Sequence, residues 1–114
     1  MRYSFHPEAE AEFHEAIDYY ERCQESLGHD FAVEVYSTIC SIIDYPLAWP
    51  VLTGTVRRCL TSRFPYGIIY SVEGAEILIL AVMHLHRAPG YWKRRAKRSK
   101  ASPARRRRYP HSRR

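Results

Sequence analysis

The chain has no apolar run long enough to cross a bilayer. Its longest, Ile77 to Met83, is seven residues, where a spanning helix needs about 20. Behind Met1-Arg2-Tyr3-Ser4-Phe5 there is no apolar h-region, so no secretory signal is expected. Cysteine is scarce as well. Cys23, Cys40 and Cys59 are odd in number and widely spaced, and no Cys/His pattern has metal-ligand spacing. They are expected as small buried hydrophobes or idle thiols in a reducing compartment. With only five glycines in 114 residues, the chain carries no Gly-rich phosphate loop, and neither HExxH nor a Ser-His-Asp order is present. These absences predict a soluble, cytoplasmic protein that uses no metal and no cofactor.

Acids are missing from one region only. Residues 93–114 hold twelve Lys and Arg and no Asp or Glu, whereas residues 1–92 hold six basic and twelve acidic side chains. A body of formal charge −6 therefore precedes a tail of +12. The expected organisation is a single domain over residues 1–92 and a basic, disordered tail over 93–114, in which Lys93 to Arg98 can prolong a helical turn while Ser102-Pro103 and Arg105 to Arg108 can bury nothing and repel one another. Such a tail contacts nucleic acid non-specifically, with a steep salt dependence, or serves merely as a solubilising extension.

Within the body, Arg2 to Phe5 alternates as a short strand. Pro7 suits a first helical turn, and Phe13, Ala16, Ile17, Tyr20 and Leu27 recur at helical spacing. This predicts a helix from Pro7 to about Leu27, closed by Gly28. Its acids, Glu8 through Asp18, read as a solvated face. Asp30 is a candidate cap for a second helix with the stripe Phe31, Val35, Ile39 and Ile42, ended by Pro46. Residues 46–55 read as loop, with Trp49 folding back on the core. Strands are predicted over Val56–Phe64, Gly67–Val72 and Ala75–Met83, the last apolar enough to lie centrally. The order β-α-α-β-β-β is an α+β fold, a helical hairpin packed on a mainly antiparallel four-stranded sheet.

The last strand runs into His84-Leu85-His86-Arg87-Ala88-Pro89-Gly90-Tyr91-Trp92. His84 or Tyr91 has the chemistry of a proton carrier, and Arg87 that of a phosphate ligand. In the plainer alternative, Tyr91 and Trp92 close the core and Arg87 pairs with Glu73 or Glu76. Arg57, Arg58 and Arg63 form a second basic group, in which strand alternation places Arg57 and Arg63 on one face and Arg58 on the other.

Four pieces in order resemble the RelE/ParE toxin superfamily. They are Phe5-His6-Pro7-Glu8-Ala9 with Glu12 and Tyr19-Tyr20; Gly28 to Pro50 with Phe31, Glu34-Val35, Ile39, Ile43, Pro46 and Trp49; Arg57 to Tyr70; and the ending HxxRxPxYW. The resemblance spans residues 3 to 92 and implies the toxin of a type II, plasmid-stabilisation-like pair, neutralised by a cognate antitoxin and causing growth arrest. RelE-like members cleave mRNA on the ribosome; ParE-like members poison DNA gyrase. Ribonuclease members carry basic residues where this chain has Gly67 and Leu85. Tyr91 matches a tyrosine they use and Arg58 one of their basic residues. Each missing charge would withhold roughly 2.7–4 kcal/mol of transition-state stabilisation.

The resemblance therefore favours the ParE-like branch, with Arg57, Arg63, His84, Arg87, Tyr91 and Trp92 as target contacts. The RelE-like alternative would use Arg58, Arg63, His84, Arg87 and Tyr91 in catalysis. A third reading is an inactive module whose basic tail binds nucleic acid. The antitoxin is expected on an exposed apolar border around Phe31, Val35 and Ile39.

Overall fold

The computed structural model describes residues 1–88 and 90–96. In chain order the elements are β1 (Arg2–Phe5), α1 (Pro7–Cys23), α2 (Leu27–Asp44), β2 (Val51–Thr53), β3 (Val56–Leu60), β4 (Tyr66–Glu73) and β5 (Glu76–His84). One five-stranded sheet has the order β1-β5-β4-β3-β2. β1 lies parallel to β5, and every other pairing is antiparallel. The α+β class and the mainly antiparallel sheet agree with the sequence.

The helical hairpin forms for local reasons. His6 caps α1, its Nδ1 accepting from the Glu8 N–H at 3.1 Å, and Pro7 takes the first position, where no N–H is needed. α1 ends at Cys23, four residues earlier than the periodicity indicates. Gly28 is not its stop signal but lies in the first turn of α2. A Cβ on Gly28 would meet the Ile17 carbonyl oxygen at 2.5 Å, so glycine is what allows the two helices to approach. The reversal is made by Ser26, at φ 72°, which stands at the helix start where Asp30 was expected. The Glu21 carboxylate accepts from the Ser26 and Gly28 N–H groups at 2.9 and 3.0 Å.

The sheet has one strand more than expected. β2 pairs with β3 through Val51↔Arg57 and Thr53↔Val56, and Gly54, at φ 53°, makes the tight turn. Pro46 and Pro50 precede this short, wholly exposed strand and Gly54 follows it, which gives its sequence the look of a loop. β3 also stops at Leu60 rather than Phe64. There the Thr61 hydroxyl donates to the Phe64 carbonyl at 2.6 Å and folds residues 61–65 into a tight connection. Arg63 therefore lies outside the strands, and the alternation argument does not reach it.

Two apolar layers sandwich the sheet. Phe5, Phe13, Phe31, Val35, Ile39, Ile68, Tyr70 and Ile79 pack between helices and sheet. On the far face Val56, Ile69, Leu78, Leu80 and Met83 gather around Trp92, with Tyr91 and Ala96 against them. Burial on both faces explains the unbroken apolar run of β5. Residues 93–96 form a turn of helix, so the ordered body continues past the boundary expected at Trp92. The disorder expected for the tail concerns, from residue 97 onward, positions outside the described residues.

Candidate functional site

β1 is short because the chain turns into α1 at His6-Pro7. The His6 N–H makes the last contact along that edge, donating to the Ile79 carbonyl at 2.8 Å. β5 runs on to His84, so its outer edge beyond Ile79 has no strand partner. Open edges of this kind need covering. The register shifts between Ile69 and Tyr70, where Ala81 and Ile79 are their partners and Leu80 is the extra residue, a bulge that re-aims the local backbone.

Side chains close the gap. Glu12, on α1, accepts the Val82 N–H at one carboxylate oxygen (3.1 Å) and the Arg95 Nη2 at the other (2.8 Å). Arg95 Nη1 donates to the Leu80 carbonyl at 2.9 Å, and its Nε to Glu8 at 3.1 Å. The side chains of Arg95 and Glu12 are only 6% and 14% exposed, so this is a buried ion pair that substitutes for a strand. Burial disfavours the Arg95 charge, and the Glu12 hydrogen bond and charge more than offset it, holding the guanidinium protonated.

Tyr91 completes this clasp. Arg87 lies over its ring at 4.0 Å and Arg95 at 4.9 Å. The Tyr91 hydroxyl is buried beside the Glu12 carboxylate without a hydrogen bond of standard geometry. Burial first, and the Glu12 charge second, push this phenol well above its ordinary value. It is a neutral, enclosed group at physiological pH. Arg87, half-exposed, stands 3.9 Å from Glu12; its acid is on α1, and neither Glu73 nor Glu76 is used. The acidic face of α1 is therefore not simply solvated.

The other candidates fall elsewhere. His84 contacts the Tyr66 ring edge-on at 5.1 Å, and its Nδ1 accepts the His86 N–H at 3.1 Å. His84, Tyr66, Tyr19 and Arg87 line a groove of about 190 Å³ with Glu12 and Glu15. Burial pushes the Tyr66 phenol up to about 12. Arg63 sits against α2. Its N–H donates to Glu34, its guanidinium is 3.8 Å from Asp30, and it lies over the Phe64 ring.

Half-exposed Arg57 pins the loop before β2, its Nη1 donating to the Leu47 and Trp49 carbonyls at 3.0 and 2.7 Å. Arg58 is on the far face of the sheet, lying across Gly67. Trp92, expected as a target contact, is buried in the second core. Phe31, Val35 and Ile39 are likewise buried, at 0%, 0% and 1% exposure. They face the sheet, so these three side chains are not the exposed apolar border expected of them. The exposed apolar residues of the helical layer are Tyr19, Val33 and Tyr36.

Glu12 and Arg95 were not singled out from sequence as structural residues. A signal was present: Glu12 stands three residues after buried Ala9 and four before buried Ala16, on the buried arc of α1. Among the described residues no group of side chains is arranged to hold a metal ion, and no helix is long and apolar enough to cross a membrane.

The architecture places the chain in a known class. Its structure is similar to a chain of the chromosomal ParDE toxin–antitoxin system from P. aeruginosa, with a TM-score of 0.55 and 19% identity, covering 75% of this chain and 96% of that one. This is the α+β fold of the RelE/ParE superfamily. The family described as "ParE toxin of type II toxin-antitoxin system, parDE" matches residues 3–89, and the chain belongs to it. No curated protein matches the sequence.

Proposed function

We propose that this ParE-family toxin arrests growth in the cytoplasm by binding and inhibiting DNA gyrase, and that a cognate antitoxin neutralises it. The supporting observation is that the cations RNA cleavage would require do not converge, since Arg58 and Arg63 both lie away from the groove that His84 shares with Arg87. Arg58 lies on the far face, Arg63 against α2, and His84 in the groove beside α1. Arg87 and Tyr91 are held in the clasp, where the phenol is enclosed and its proton tightly kept. Metal-free cleavage needs a base, a charge stabiliser and an acid converging on one phosphate. A protein-binding toxin needs only surface.

Exposed Tyr19, Val33 and Tyr36 offer the helical layer's apolar area to a covering antitoxin segment. Residues 97–114, with nine Lys and Arg and no acid, add a salt-sensitive attraction to nucleic acid. The test is a supercoiling assay with purified gyrase and the full chain released from its antitoxin. Inhibition that the antitoxin reverses is expected. Unimpaired supercoiling, together with codon-specific cleavage of mRNA on ribosomes, would replace this reading with the RelE-like one.

A further inference from the structure

The far face of the sheet carries a cleft that the clasp does not use. It consists of two adjoining hollows of about 260 and 210 Å³ sharing Thr53, Trp92 and Lys93. Arg58, Leu52 and Met83 complete the second hollow. The β2–β3 hairpin forms one wall and the 90–96 turn the other. Gly67 makes room for Arg58: a Cβ there would stand 3.2 Å from Arg58 Cδ and 3.5 Å from Leu60 Cδ2. The Arg58 stem thus lies over β4 with exposed Leu60 beside it.

The electrostatics of this cleft differ from those of the hollows beside α1 and α2. The groove by α1 contains Glu12 and Glu15, and the hollow by α2 contains Asp30 and Glu34, so their arginines have acids at hand. The far-face cleft is lined by no acid. Among the described residues neither Arg58 nor Lys93 has an ion-pair partner. The rest of the chain cannot supply one from a side chain, because Pro89 and residues 97–114 include no Asp or Glu. Lys93, the first residue of the basic stretch, lines both hollows, and Ala96 lines the first. Two unpaired cations beside exposed Leu52 and Leu60 thus mark a body whose first 92 residues carry −6.

We propose that this cleft docks an acidic, partly apolar segment of a partner protein, a carboxylate seated between Arg58 and Lys93 and an apolar side chain against Leu52 and Leu60. A protein fits better than a nucleic acid for two reasons. The Trp92 indole is buried and presents no face for a base to stack on. Residues 1–96 hold nine basic and twelve acidic side chains, so the body around the cleft disfavours a phosphate backbone, and the chain's attraction to nucleic acid comes from residues 97–114 instead. This inference deepens the protein-binding reading and rests on it, without depending on which protein is the target.

The test uses the full chain with Arg58→Glu and Lys93→Glu combined, and Lys93→Glu alone as the variant at an exposed residue should the double variant not fold. Affinity is measured for three probes: the cognate antitoxin, the gyrase A subunit and a duplex oligonucleotide. Loss on the order of tenfold for either protein, with melting unchanged, is expected. Unchanged affinity for both proteins would overturn the proposal. A loss confined to the oligonucleotide would overturn it in favour of nucleic acid. Should gyrase fail to bind the unaltered chain, the gyrase reading falls, and the antitoxin arm still decides the cleft.

Discussion

Arg95 illustrates how a single side chain takes its role from the backbone around it. All three guanidinium nitrogens are engaged, by Glu8, Glu12 and the Leu80 carbonyl. Removing it leaves the buried Glu12 carboxylate with only half-exposed Arg87, at 3.9 Å, and the Leu80 carbonyl without this donor. Arg95→Met should therefore destabilise the fold by about 3–5 kcal/mol, the range for breaking one side of a buried pair. Urea unfolding measures this, and a loss below about 1 kcal/mol would mean that the pair is effectively solvated. Nothing in the sequence ranked Arg95 above its neighbours, since it stands in a run of Lys and Arg where charge alone suggests solvation. Its distinguishing feature, an unpaired backbone edge at β5, exists only after folding.

Buried phenols give the residue scale a pH signature. Burial pushes Tyr66 and Tyr70 up to about 12, and the Tyr70 hydroxyl donates to the Pro46 carbonyl at 2.6 Å. Between the ordinary value near 10 and 12, the folded chain holds more protons than the unfolded one. Stability is therefore fully present below pH 10 and lost as pH rises toward 12. Tyr70→Phe should be less stable at neutral pH, having lost a hydrogen bond, and should show a shallower alkaline decline. Urea midpoints measured from pH 8 to 11.5 test both effects.

At the scale of elements, what was legible depended on how much periodicity a segment carries. α2 and β5 were readable because long apolar patterns leave little choice. β2 was not, being three exposed residues between Pro50 and Gly54 that owe their strand state to β3. Gly28 reads naturally as a helix stop, but its space is taken by the facing Ile17 carbonyl, a tertiary contact with no local trace. The 93–96 turn was legible as a helical turn, but its docking was not, because its basic composition outweighs the spacing of Trp92 and Ala96 on the far-face core. That turn carries Arg95, so its removal is a sharp probe. A chain ending at Trp92 should melt more than about 10 °C below one ending at Ala96, by the loss of the clasp. Equal melting temperatures would show that the turn is dispensable to the fold.

For the whole molecule, the ParE-type architecture was visible in the order of motifs, but the arrangement of its cations was not. Sequence spacing gathers Arg57, Arg58, Arg63, Arg87 and His84 into plausible clusters. The sheet then divides them between its two faces, and the helices claim Arg63 and Arg87 through Asp30, Glu34 and Glu12. What this division leaves together is His84, Arg87 and Tyr91, with Arg58 and Arg63 elsewhere. The most direct measurement is induced expression in bacteria, with transcript ends sequenced and plasmid supercoiling read from the same culture. Growth arrest with relaxed plasmids or DNA breaks and intact messages is the expected result. Arrest with new cuts inside translated codons and normal supercoiling would contradict it, and would return Arg87 and Tyr91 to the chemistry of RNA cleavage.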